Sequence, residues 1–91
     1  MLWMVIENFR NGDFRAVGER FARHGRMLPD EVSYRAGWVQ EDGARCFQLI
    51  EAPSAAALAL WMEGWSDLID FEVVPVFSSP QFWSLNPVRP A

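Results

Sequence analysis

Four segments of this chain read as β-strands with bulky apolar residues on both faces, yet only two segments read as helices to cover them. In residues 2–9, Leu2, Met4 and Ile6 fall on one face while Trp3, Val5 and Phe9 fall on the other. The split follows because successive side chains on a strand point to opposite sides of its sheet. Two helices blanket one face of a small sheet, so the second face needs another cover. A second copy of the chain is the simplest candidate. A homodimer joined through the open sheet face, enclosing a cavity, is therefore the first expectation.

Composition agrees with an extra buried surface. The chain has 91 residues, 51% of them hydrophobic and 14% aromatic. That is rich for a single domain which, folded alone, buries only about 60–65% of its unfolded surface. The net charge of −4 argues against binding a phosphate backbone, and the arginines form no stripe. All eight basic residues are Arg and none is Lys, which reads as compositional bias rather than a site. No apolar run approaches the ~20 residues that cross a bilayer. The opening MLWMVIENFR lacks the charged region and cleavage site of a signal peptide and reads as a strand. A lone cysteine, Cys46, excludes an internal disulfide and fits a reducing compartment, so a cytoplasmic location is expected, with no membrane and no nucleic-acid partner.

Along the chain, residues 2–9 form the first strand, and Asn11-Gly12-Asp13 makes a turn in which Asp13 caps a helix starting at Phe14. Phe14, Val17, Gly18 and Phe21 share the helix's inner face, and the helix stops at His24-Gly25. Residues 33–40 and 44–52 form two strands around an Asp42-Gly43 hairpin. Ser54 caps a second helix that runs to about Trp65, with Leu58, Trp61, Met62 and Trp65 inward. Residues 69–77 form the fourth strand, placed at a sheet edge because Pro75 lacks a ladder donor. The expected domain is residues 1–78, followed by an irregular C-terminal tail, 79–91, in which Phe82, Trp83 and Leu85 suggest docking.

The order β-α-β-β-α-β is the ferredoxin-like arrangement, class α+β. It gives a four-stranded antiparallel sheet in the order 4-1-3-2 with both helices on one face. The right-handed crossovers are read as setting strands 1 and 3 side by side and parallel at its centre. A faint internal echo, Val5-Ile6-Glu7 against Leu49-Ile50-Glu51, suggests two copies of one unit.

The blocks MLWMVIENF, GRMLP, GWV, RCFQLIE and FEVVPV, in that order over residues 1 to about 78, resemble the DUF3303 family of small bacterial proteins of unassigned function. The resemblance implies a dimeric α+β barrel of two ferredoxin-like subunits. Similar architectures serve cofactor-free monooxygenases, isomerases, haem-degrading enzymes and proteins without known catalysis, so the resemblance carries no chemistry with it.

Glu7 and Glu51 are the candidate catalytic residues. If the echo is real they lie near each other on adjacent strands, where one of two close carboxylates has a raised pKa and serves as general base or acid. Otherwise each is a solvated or Arg-paired strand end. Trp3, Tyr34, Trp38 and Gln48 are the candidate ligand pocket: an aromatic wall for a flat, apolar molecule and one buried amide in need of partners. Core or dimer packing is the alternative for the rings. Gln48 and Glu51 have opposite parity, so only one of them faces a barrel interior. His24 ends a helix, where its charge suits the helix dipole. Arg26 either holds an anion at a pocket mouth or bridges to Asp30 or Glu31. Cys46 reads as a buried, inert thiol. No metal-ligand spacing, phosphate loop or nucleophile elbow is present, so neither a metal nor a cofactor is expected.

The functional expectation is a small homodimeric protein binding an apolar or amphipathic molecule. The rivals are a cofactor-independent monooxygenase or isomerase using a buried carboxylate, and a purely structural interaction module.

Overall fold

A computed structural model describes residues 1–90. The chain is α+β: an open four-stranded antiparallel sheet and three helices. The strands are β1 (Leu2–Phe9), β2 (Ser33–Val39), β3 (Arg45–Glu51) and β4 (Ile69–Val76), in the order β2-β3-β1-β4. The helices are α1 (Phe14–His24), α2 (Ala55–Glu63) and α3 (Ser79–Leu85).

Local sequence accounts for the ends of these elements. Asp13 Oδ1 accepts from Ala16 N at 3.1 Å and Ser54 Oγ from Ala57 N at 3.2 Å, so each cap satisfies a helix-end donor. Gly25, at φ 66°, ends α1. Pro75 lies in β4, which pairs only with β1 and so is an edge strand.

Every neighbouring strand pair is antiparallel, β1 and β3 included, which corrects the parallel centre expected from the sequence. The hairpin is the physical reason. β1 and β2 run the same way across the α1 crossover, and the tight turn at Asp42-Gly43 sends β3 back against both. Glu7 therefore faces Cys46, whereas Glu51 faces Leu2.

The register fixes which side chains share a face. Trp3, Val5, Glu7 and Phe9 of β1 share the helix side with Cys46, Gln48 and Ile50 of β3. Leu2, Met4 and Ile6 share the other face with Phe47, Leu49, Val74 and Val76. The core lies on the helix side, where Val5, Ile50, Leu58 and Ile69 are fully buried. At about 25 cal/mol per Å² of apolar surface removed from water, this layer is the main stabilising element. The opposite face stays open and half-exposed.

β2 carries an irregularity. Tyr34 pairs with Ile50 and Ala36 with Leu49, so Arg35 is an extra residue in the ladder. Tyr34 and Gly37 thereby share the helix side although their positions differ by three, a spacing that in a regular strand puts side chains on opposite faces.

The segment after β4 also departs from expectation. Where an irregular tail is anticipated, Ser79–Leu85 forms a short helix, because Ser78 Oγ accepts from Gln81 N at 3.3 Å and Pro80 suits the first turn. Phe82, Trp83 and Leu85 do not cover the sheet; they remain 41%, 57% and 61% exposed. Ala91, the end of that expected tail, lies outside the described residues.

Candidate functional site: a cleft between α1 and the sheet

α1 is amphipathic but buries none of its residues. Its apolar side chains Phe14, Val17 and Phe21 border a cleft; Val17 also packs against the core, while Phe14 and Phe21 are 49% and 44% exposed. α2, by contrast, packs tightly, burying Ala57, Leu58 and Trp61. The cleft between α1 and the sheet has a volume of about 390 Å³. Trp61, Trp65 and Ile69 form its apolar floor, and Tyr34, Gly37, Trp38 and Val39 of β2 form its rim.

Polar groups converge at one place in it. Glu7, Gln48, Cys46 and Arg26 all line the cleft, and Glu7 and Gln48 are buried, 4% and 7% exposed. Arg26 Nε donates to Gln48 Oε1 at 3.4 Å. With that oxygen engaged, the amide nitrogen is the end of Gln48 left for Glu7. Burial raises the Glu7 carboxyl above its ordinary value of 4.5; side-chain interactions with Gln48 and Cys46 and the charge of Arg26 oppose the rise. Burial, then the neighbouring Glu7 carboxylate, pushes the Cys46 thiol up to about 12. At neutral pH the thiol stays protonated and a poor nucleophile.

Arg26 is held from both ends. Its carbonyl accepts from Trp61 Nε1 at 2.9 Å and from Trp65 Nε1 at 3.0 Å, anchoring the loop after α1 to the α2 side of the core. Its guanidinium lies 3.6 Å from the Tyr34 ring centroid and 5.1 Å from that of Phe21. The bridges to Asp30 or Glu31 suggested by the sequence are absent; among the described residues Arg26 has no carboxylate within ion-pair distance. Tyr34 in turn needs a glycine across from it. A Cβ on Gly37 would sit 2.9 Å from the Tyr34 hydroxyl.

The sequence-predicted residues divide. Tyr34, Trp38 and Gln48 border the cleft, Trp38 by way of the exposed β2 edge. Trp3 does not; it is buried, and its Nε1 donates to Ala52 O at 3.1 Å. Glu7 and Glu51 are not brought together. They lie on opposite faces, and the five-step rise along β3 from Cys46, opposite Glu7, to Glu51 separates them by about 17 Å. Glu51 pairs with Arg35 at the sheet surface. The internal echo misled because it treated an antiparallel pair as parallel. Phe14, Val17 and Phe21 read as ordinary core from their spacing, and no sequence signal distinguishes a helix that seals onto a sheet from one that stands off it.

Among the described residues no three His, Cys, Asp or Glu side chains gather as a metal site would require. Among the described residues no helix is long and apolar enough to cross a membrane.

The comparison with curated proteins finds no match. A family profile does match nearly the whole chain, over residues 1–86, and it spans every strand and helix that builds the cleft. The chain belongs to the family described as domain of unknown function DUF3303.

Proposed function

We propose that this protein binds a small apolar or amphipathic molecule in the cleft between α1 and the sheet. The observation that carries this reading is the apolar side of α1, of which Val17 packs against the core while Phe14 and Phe21 stay exposed along the cleft. A mostly apolar concavity with a few convergent polar groups is the usual form of a ligand site. The β-α-β-β-α-β core is a ferredoxin-like unit in this reading. Two such units meet through their open faces as a dimeric α+β barrel, a pairing supported by the half-exposed Leu2, Met4, Ile6, Phe47 and Leu49. The cavity is then not at the dimer seam but within each subunit, on the far side of its sheet.

A second reading, a cofactor-independent monooxygenase or isomerase, is favoured by one specific observation. Glu7 is a buried carboxyl in that same cleft with a raised pKa, as a general base or acid requires.

Native mass spectrometry of gently purified protein tests the binding reading. A dimer carrying extra mass supports it and supplies the ligand to identify. A clean monomer that no apolar probe stabilises thermally overturns it, because a ligand that binds only the folded state must raise its stability.

A further inference from the structure

We propose that the cleft selects molecules bearing a single carboxylate on a flat apolar body, with Arg26 as the anchor of the carboxylate. This rests on the binding reading above and names its chemistry.

Among the described residues Arg26 is the cleft's one cationic residue, and its charge has no ion-pair partner there. A guanidinium carries five N–H donors in a planar fork that matches a carboxylate. Among the described residues its one side-chain hydrogen bond uses Nε, toward Gln48, which leaves the terminal nitrogens for a ligand. Stacking on Tyr34 at 3.6 Å and the double clamp on its carbonyl hold the fork in place before any ligand arrives. Such preorganisation reduces the ordering that binding would otherwise require. The remaining walls, Phe14, Val17, Phe21 and Trp65, suit an apolar body, and the aromatic rings among them suit a flat one. One cation beside one buried carboxyl fits a single negative charge better than two.

Glu7 adds a pH signature. The polar or charged groups facing it are Gln48 and Cys46 from β3 and Arg26 from the loop after α1, with Tyr34 of β2 behind Arg26. Phe71 flanks it on β4, and α1 and α2 present only apolar groups to the cleft. An anion arriving at Arg26 competes with an ionised Glu7 for the same cation. Binding therefore favours protonated Glu7, and by linkage a lower pH favours binding until the ligand itself takes up a proton.

Isothermal titration with 2-naphthoate and with its neutral amide, 2-naphthamide, tests the proposal in the wild-type protein. The carboxylate should bind about tenfold or more tightly than the amide, the scale of a charge-assisted bidentate pair. Arg26→Met, which keeps an apolar stem, should erase that preference, and Arg26→Lys should restore part of it. Glu7→Gln should flatten the rise in naphthoate affinity as pH falls through the raised pKa of Glu7. Equal binding of acid and amide by the wild type would overturn the carboxylate assignment while leaving the cleft as a binding site. Binding of neither would overturn both.

Discussion

Gly18 offers the sharpest test of whether α1 truly stands off the sheet. It lies mid-helix and borders the cleft, and a Cβ built on it meets no atom within 4 Å. If α1 were packed onto β-strands, a glycine there would mark a close approach and any larger residue would clash. The structure instead requires Gly18→Ala to be free of strain. Glycine inside a helix is less favourable than alanine by about 0.8–1.0 kcal/mol, so the substitution should stabilise the protein by up to about 1 kcal/mol. For a domain of this size that is a rise in Tm of about 4–8 °C, read by thermal unfolding monitored by circular dichroism. Gly18→Leu gains a similar helix propensity while sending a branched side chain toward the cleft. It should keep the higher Tm and lose binding of 2-naphthoate. A fall in Tm for Gly18→Ala would refute the reasoning, since it would mean that the helix needs the glycine for contact and the cleft is closed in solution.

Four further outcomes follow from the same geometry. Between pH 4.5 and the raised pKa of Glu7 the unfolded chain has released a proton that the folded chain retains, so wild-type stability falls as pH rises through that window. Glu7→Gln should therefore gain on the wild type as pH rises, by about 1.4 kcal/mol for each unit of elevation; a gap in Tm that does not vary between about pH 4 and pH 8 would contradict this. Cys46 should react slowly with iodoacetamide at about pH 8 and far faster in denaturant, its thiol being protected and pushed up to about 12. Trp61→Phe or Trp65→Phe alone leaves the Arg26 carbonyl one donor, whereas the double variant orphans it; urea melts should show a loss beyond the sum of the singles by about 1–3 kcal/mol. Ile6→Arg on the open face should leave the fold intact and yield monomers by analytical ultracentrifugation, whereas Val5→Asp, fully buried, should fail to fold.

The elements were readable because short-range chemistry determines them. Asp13, Ser54, the Asp42-Gly43 turn and Pro75 each do locally what their residue type dictates, and together they fix element order and strand order. The site was less readable because it depends on register. Glu7 was legible as a candidate, but its partners, Gln48 and Cys46, come from the strand opposite and are assigned only by antiparallel pairing. Arg26 was legible only as one of two things, an anion holder or a partner of Asp30 or Glu31, and the bridges were excluded only by where the loop places the guanidinium. The standing-off of α1 was not legible at all, since Phe14, Val17 and Phe21 have the same spacing whether the helix seals or gapes.

The extra residue at Arg35 acts on β2 much as a frameshift acts on a coding strand. Upstream of it odd and even positions report one assignment of inside and outside; downstream the assignment is reversed. That inversion is why Tyr34 and Trp38, four apart and so expected on the same face, register on opposite faces. It is also why Gly37 falls beneath the Tyr34 ring. Arg35 lines no part of the cleft, yet were it taken into the ladder instead of standing outside it, Ala36 would replace Gly37 opposite Gln48 and Trp38 would turn to the helix side, filling the rim of the cleft with indole. The capacity of the cleft is thus set partly by a residue that does not line it, through the count of residues rather than their kind.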